Sequence, residues 1–116
     1  MPLPAKPHAP LTPLSMHILL ALAGQELHGY ALMQAIRDQS GNTVRPGTGS
    51  LYAAVQRLVD DGMIAEVPEA QPDARRGNAY RITPAGRRTA AGEAARMREV
   101  IRLATDREIL SESEGA

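Results

Sequence analysis

The chain has 116 residues, enough for one domain with a modest core and too few for a large catalytic fold. Its 13 basic and 13 acidic side chains give a formal net charge of zero, which argues against a protein that coats nucleic acid without regard to sequence. The absence of cysteine excludes disulfides and cysteine-ligated metals, and no apolar run approaches the ~18 residues of a membrane span, so no membrane partner is expected.

The N-terminal part of the chain predicts a loose arm followed by a helix. Residues 1–10 contain four prolines, which indicates a flexible arm, and they lack the apolar core of a secretory signal, so a cytoplasmic location is expected. Thr12 and Pro13 place a capping residue before a proline at the first helical position. The first helix is predicted to extend to about Ala23, where Gly24 would provide a left-handed stop.

Two more helices are predicted before the chain becomes polar. The second covers about Gly29–Gln39, and the Ser-Gly-Asn sequence after it is typical of a helix end. The third begins in RPGTGSLYAAVQRL, residues 45–58, with Thr48 as the expected capping residue, and it ends near Gly62. Apolar residues recur along it at helical spacing, which predicts that one face is buried against the first two helices.

The turn before the third helix contains two glycines, and such a turn can cradle a phosphate or bring a helix close to DNA. A phosphate-binding P-loop needs a lysine directly after its second glycine. Thr48 follows Gly47 instead, and Lys6 is the only lysine of the chain. The three histidines also lack the spacing of a helical metal site, so neither a nucleotide, a cofactor nor a metal is expected.

A β-hairpin is predicted after the third helix. Its strands are Met63–Val67 and Ala79–Thr83, and the alternation of the second strand places Tyr80 in the core. The connecting loop PEAQPDARRGN is rich in turn-forming residues and carries Arg75 and Arg76. A basic hairpin tip of this kind can contact phosphates, although a solvated charged face gives the same pattern.

The last predicted helix runs from Pro84 to about Leu110, and residues 111–116 are expected to form a flexible tail. Apolar and small residues repeat along this helix at spacings of four and three, which is typical of a helix that packs against a partner helix. A homodimer is therefore expected, with a helix folded back on its own domain as the alternative. The predicted dimer interface consists of Ala90, Ala94, Met97, Ile101 and Ala104.

The order helix, helix, capped helix, hairpin and long helix indicates a mainly α fold with a small β-hairpin, the winged helix-turn-helix. Residues 11–83 would form the DNA-binding domain and residues 84–110 the dimerisation helix. In such a unit the third helix enters the major groove, its first residues reach base edges, and other donors contact phosphates. The expected contacts on this helix come from Thr48, Gly49, Ser50, Tyr52 and Gln56.

Three stretches carry a resemblance to a known family: HGYALMQAI (28–36), GSLYAAVQRLVDDGMIAE (49–66) and NAYRITPAGRR (78–88). In this order and spacing the chain resembles the PadR family of transcriptional regulators, in a short branch with a single C-terminal helix. The resemblance implies a dimeric repressor that binds an operator and is released by a small-molecule effector. It also implies that Tyr30 and Tyr52 lie near the DNA and that Arg75 and Arg76 lie in the wing, with packing as the alternative for both tyrosines.

The resemblance also implies properties of the operator DNA and of the small-molecule effector. The twofold symmetry of such a dimer predicts an inverted-repeat operator in double-stranded DNA. Because the chain has no tryptophan or phenylalanine, an effector sandwiched between aromatic rings is not expected. A ligand would instead bind among aliphatic and methionine side chains, near Met16, Met33 or Met97 between subunits.

Two other classes of function compete with DNA binding. The neutral net charge and the single lysine favour a winged-helix protein-interaction module that does not bind DNA. An enzyme is not expected, because the adjacent Asp60 and Asp61 would point about 100° apart on a helix and cannot form a paired acid and base. No serine, histidine and carboxylate form a readable catalytic motif either.

Overall fold

The computed structural model describes residues 11–68 and 78–111. Within these residues the predicted fold class is confirmed: the chain is mainly helical, with a small antiparallel sheet. The N-terminal arm, the hairpin tip with Arg75 and Arg76, and the tail after Ser111 lie outside the described residues. In chain order the elements are α1 (Pro13–Leu22), β1 (Leu27–His28), α2 (Gly29–Gln39), α3 (Thr48–Asp60), β2 (Ile64–Val67), β3 (Ala79–Ile82) and α4 (Pro84–Asp106).

The core forms where α1, α2 and α3 meet, with one side covered by the sheet. Each of the three helices contributes apolar side chains at helical spacing, as the sequence predicted. Burial of one such side chain contributes about 1.5–3 kcal/mol, so this cluster holds the three helices together. The side chains without exposed surface are Ile18, Leu19, Leu32, Ile36 and Leu51.

The sheet has three strands, in the order β1-β3-β2. The hairpin of β2 and β3 was predicted, and its register pairs Ile64 with Ile82 and Val67 with Ala79. The strand β1, which pairs antiparallel with β3, was not predicted. Two residues are too short to show the alternation that identifies a strand, so only the tertiary contact with β3 defines β1. Tyr80 of β3 is buried in the core, as predicted.

The first helix begins as predicted and ends differently. The Ser15 N–H donates to the Thr12 hydroxyl oxygen at 3.1 Å, which confirms the cap. The predicted left-handed stop at Gly24 is wrong, because the helix ends at Ala23 with right-handed angles and Gly24 has no positive φ. The Arg87 guanidinium of α4 donates to the Ala23 carbonyl oxygen at 2.6 Å, so a distant side chain satisfies this helix end.

The prediction that Thr48 caps α3 is also wrong. Gly47 holds the capping position with extended angles, φ −75° and ψ 167°, and Thr48 is the first helical residue. No side-chain hydrogen bond caps this helix. Glycine at a cap costs only a few tenths of a kcal/mol relative to serine or threonine, so the helix can begin one residue earlier than predicted. The Thr48 side chain is therefore exposed and not folded back on the helix.

The helix α4 is joined closely to the turn between α3 and β2. The Thr83 hydroxyl donates to the Gly62 carbonyl oxygen at 2.6 Å, and the Thr83 N–H donates to the Met63 carbonyl oxygen at 3.0 Å. The Gly86 N–H in turn donates to the Thr83 hydroxyl oxygen at 3.1 Å, which caps the helix. The helix ends at Asp106, short of the predicted Leu110.

Candidate nucleic-acid interface

The leading end of α3 is exposed while its inner face is anchored. Leu51, Val55 and Leu58 are buried in the core, and the first-turn residues Thr48, Gly49 and Ser50 are exposed. Backbone N–H groups of a first turn have no partner within the helix and carry partial positive charge. No side-chain hydrogen bond caps this end, and the hydroxyl-bearing residues Thr48 and Ser50 are both exposed. This arrangement can accept phosphate oxygens.

Tyr52 and Gln56 follow one turn apart on the exposed face of α3. Tyr52 is 37% exposed, and its ring extends to the start of α2, where it contacts Gly29. The Gln56 carboxamide donates to the Asp60 carboxylate at 2.9 Å, so its side chain lies along the helix surface. An amide held in this way can present its carbonyl oxygen and its second N–H to a base edge.

Tyr30, on the first turn of α2, is 71% exposed. It directly follows Gly29, against which Tyr52 packs, so the structure brings the two predicted tyrosines to the same junction. Tyr80 lies behind them in the core. Burial raises the pKa of the Tyr80 phenol, and the nearby Glu66 carboxylate and Tyr52 raise this pKa further. A hydrogen bond with the Asn78 side chain lowers the pKa in part. Tyr80 is therefore a neutral core residue and not a member of the exposed surface.

The place where β2 and β3 lead into the tip loop, which we call the base of the wing, lies beside the same junction. The Gly29 N–H donates to the Asn78 carbonyl oxygen at 3.1 Å, and the Asn78 side chain donates to Glu66 at 3.3 Å. The hairpin tip with the predicted Arg75 and Arg76 is outside the described residues. The contact between Gly29 and Tyr52 was not predicted from the sequence. The HGY sequence around Gly29 predicted only a helix start, and the contact with Tyr52 has no signal in the sequence.

The helix α4 exposes an apolar face within the described part of the chain. Met97, Val100 and Ile101 are 42%, 64% and 46% exposed. Together with Glu93 and Arg96 they line an open groove of about 530 Å³. Val100 was not in the predicted dimer interface, because that interface was predicted from residues four and three positions apart and Val100 is not one of them. We call this surface, formed by Met97, Val100 and Ile101, the α4 apolar face.

The remaining predicted interface residues differ in their surroundings. Ala94 is exposed, Ala104 is half-buried, and Ala90 packs against the core of its own chain. The ion pairs Glu93–Arg96 and Glu99–Arg102 are present, and Arg102 also reaches Asp106 at 2.9 Å. The hydrogen bond from Arg102 lowers the pKa of the Glu99 carboxyl. These pairs place charge beside the α4 apolar face.

Neither a metal site nor a membrane span is found in the described residues. Residues 11–68 and 78–111 contain no group of three or more metal-ligating His, Asp or Glu side chains. Among the helices in these ranges, none has the length and hydrophobicity needed to cross a bilayer.

Comparison with known proteins gives a family match. The model of the transcriptional regulator PadR-like family matches residues 18–92. A transcriptional regulator of Mycobacterium tuberculosis is 40% identical over 72 residues, which are 62% of this chain and 64% of that protein. An uncharacterized 37.1 kDa protein from a transposon of Streptomyces fradiae is 40% identical over 82 residues, 71% of this chain and 22% of that protein. The chain thus spans less than two thirds of the length of either relative.

Solved structures share the fold at lower identity. A PadR family transcription regulator from Clostridium difficile aligns with a TM-score of 0.69 and 17% identity, covering 82% of this chain and 97% of that chain. Bacillus subtilis PadR, solved in complex with operator DNA, aligns with a TM-score of 0.59 and 23% identity, covering 68% of this chain and 45% of that chain.

Proposed function

The chain belongs to the PadR-like family of transcriptional regulators, and from this membership we propose that it represses transcription as a dimer bound to a specific operator in double-stranded DNA. The family is one of transcription regulators and not of enzymes. The observation that carries the proposal is the geometry of α3, whose inner face is buried and whose leading end is exposed. A protein-interaction module would not require an open first turn with two exposed hydroxyl-bearing residues.

The proposed contacts divide into positioning and reading groups. The hydroxyls of Thr48 and Ser50 contact phosphates, and Gly49 allows the backbone to approach the duplex. Tyr52 and Gln56 reach into the major groove. Tyr30 flanks them, and Arg75 and Arg76 contact the backbone from the wing. Support comes from the fold shared with Bacillus subtilis PadR, which was solved with operator DNA.

The dimer is proposed to form through α4, with residues 11–83 as the DNA-binding domain and residues 84–110 as the dimerisation segment. The exposed apolar side chains of the α4 apolar face support this division. Two copies related by twofold symmetry would present two α3 helices to an inverted repeat with half-sites about 34–36 Å apart. A regulator of chromosomal transcription would act in the cytoplasm.

The small-molecule effector is proposed to bind at Met97. Of the three methionines considered from the sequence, Met16 is buried and Met33 packs against the core of the chain. Met97 is exposed and lines the groove on α4. A ligand between two subunits would contact Met97 without displacing the core of either one.

Footprinting tests the proposed function directly. Purified protein would be incubated with the DNA next to its own coding region and treated with a nuclease. We expect protection of an inverted repeat, together with retention of the protein on heparin at low salt. A protein that is not retained on heparin and protects no DNA would be the interaction module instead.

The wing arginines and Gln56 should affect binding in different ways. Replacing Arg75 and Arg76 by alanine should weaken binding to every duplex and reduce the salt slope by about two for each bound subunit, one unit for each lost phosphate contact. Gln56→Ala should change which base pair is preferred and leave the slope nearly unchanged. Fluorescence anisotropy at several salt concentrations measures both quantities. An unchanged slope in the double arginine variant would contradict the proposed wing contact.

A further inference from the structure

Gly29 is the first residue of α2 and lies where α2, α3 and the base of the wing meet. Its N–H donates to the Asn78 carbonyl oxygen at 3.1 Å, and its Cα lies against the Tyr52 phenol. A Cβ at this position would overlap the Tyr52 hydroxyl and lie 2.9 Å from Cζ and 3.3 Å from Cε1 of the ring. The ring occupies this space because residue 29 has no side chain.

The backbone angle does not explain the glycine. Gly41 and Gly62 have positive φ, where a side chain would be strained, but Gly29 does not. Alanine would favour helix formation at this position more than glycine does. The requirement at residue 29 is therefore space for the Tyr52 ring.

Resting on the proposed function, we infer that Gly29 is a positioning residue for DNA binding. By leaving room for the Tyr52 ring at the start of α2, Gly29 holds the phenol beside Tyr30 and beside the base of the wing. The hydroxyl of Tyr52, on the reading helix, is thereby fixed relative to both neighbouring elements. Residues of α2, α3 and the wing would then contact the duplex in one fixed arrangement.

An added methyl group at Gly29 should displace Tyr52 without unfolding the chain. The overlapping atoms belong to the end of a side chain that is 37% exposed, so the ring can move outward. The neighbouring Leu51 and Val55 remain buried and keep α3 anchored. Loss of DNA affinity with retained stability is the signature that separates positioning from a general structural role.

The test uses the full chain and the duplex protected in the footprint. Gly29→Ala should bind this duplex about tenfold more weakly, the loss expected when one good base contact is misplaced. Its melting temperature should stay close to that of the wild type. Gly24→Ala is the matched control, because residue 24 has open space around it and no positive φ, and its affinity should be unchanged.

Removing the Tyr52 hydroxyl provides a rescue. In the Tyr52→Phe background the overlapping oxygen is absent, so the Gly29→Ala substitution should cause a smaller additional loss of affinity than it does with Tyr52. If Gly29→Ala does not fold, recovery of the fold in the Tyr52→Ala background, where the whole ring is absent, would support the contact, and failure to recover would overturn it.

The outcomes separate the two proposals. Equal affinity of the wild type and Gly29→Ala, or an equal loss in both Tyr52 backgrounds, would overturn the inference and leave the proposed function intact. A wild-type protein that binds no duplex would overturn the proposed function itself.

Discussion

The three tyrosines of the chain occupy three different environments. Tyr30, Tyr52 and Tyr80 are 71%, 37% and 4% exposed, respectively. The alternation of a β-strand predicted the burial of Tyr80. Tyr52 packs in part, because its ring contacts Gly29, and the rest of its surface is exposed, so its place near the DNA stays a prediction. The chemistry of a tyrosine is therefore decided by its neighbours as much as by its position on a helix.

Tyr80 should make the stability depend on pH in alkaline solution. Its pKa is raised above the ordinary value of 10.0, first by burial and then by Glu66. Because the folded state holds this proton more tightly, the stabilisation is complete below the unfolded pKa and is lost as the pH rises through the folded pKa. Urea unfolding from about pH 8 to about pH 11 should show a smaller loss for Tyr80→Phe than for the wild type. An identical decline in both proteins would contradict this prediction.

At the scale of elements, the start of α4 lies in close backbone contact with the rest of the fold at Gly86. A Cβ on Gly86 would overlap the Met63 carbonyl oxygen and lie 2.9 Å from Cγ1 of Ile82. A backbone carbonyl cannot turn aside as the Tyr52 ring can. The position of α4 therefore depends on close backbone contact, together with the hydrogen bonds of Thr83.

Two glycines of α4 should respond oppositely to the same substitution. Gly86→Ala should lower the free energy of unfolding by about 1–3 kcal/mol, because the added methyl group forces backbone to move. Gly92→Ala should raise it by about 0.5–1 kcal/mol, because residue 92 has open space around it and alanine favours the helix. Urea unfolding of both variants measures the difference. Equal effects would exclude the close contact as the cause.

The end of α4 contains a residue that is not suited to its backbone angle. Glu108 has a positive φ of 62°, while the Ile109 N–H donates to Ala104 at 2.9 Å and the Glu108 N–H donates to Thr105 at 3.1 Å. The same pattern of bonds ends α3, where Gly62 takes the left-handed position.

Glycine at residue 108 should therefore stabilise this helix end. Glu108→Gly removes a side chain from a left-handed position, a conformation that costs about 1–2 kcal/mol for most residues. We expect thermal unfolding to show a gain of up to about 1 kcal/mol, since glycine also loses more entropy on folding. Glu108→Ala keeps the left-handed cost and is the control. A gain of equal size in both variants would point to the charge instead.

At the scale of the whole molecule, the α4 apolar face has no cover within the described residues. Met97, Val100 and Ile101 are all exposed, and ion pairs lie beside them. These exposed apolar side chains lie together on one helix, and they support the dimer contact proposed for α4. Because the start of α4 is held against the α3–β2 turn at Gly86, the proposed dimer would hold its two α3 helices at a set distance.

A charge on this face should separate the subunits. Ile101→Asp should convert the dimer to a monomer in light scattering, because a carboxylate would be buried without a partner. Operator affinity should fall strongly, since a monomer contacts only one half-site. The melting temperature at high dilution should change little, because Ile101 is 46% exposed in its own chain. Ala95→Asp, which adds the same charge about 120° around the helix from Ile101, is the control and should remain dimeric.

The sequence by itself determined the features that depend on neighbours a few residues apart. The spacing of apolar residues predicted the four helices and the hairpin, and the Thr12 and Thr83 caps are local hydrogen bonds. The prediction of Thr48 as the cap of α3 was wrong, because Gly47 holds that position. Threonine and glycine both suit a capping position, so the local sequence does not distinguish between them.

Only the tertiary structure decided the contacts between distant segments. The strand β1 exists because it pairs with β3, and Arg87 caps α1 across 64 residues of sequence. The packing of the Tyr52 ring against Gly29 and the close contact between Gly86 and Met63 likewise join segments that are distant in the sequence. These contacts depend on how the packed helices and strands are arranged in space. Neither hydrophobic periodicity nor secondary-structure propensity contains information about that arrangement.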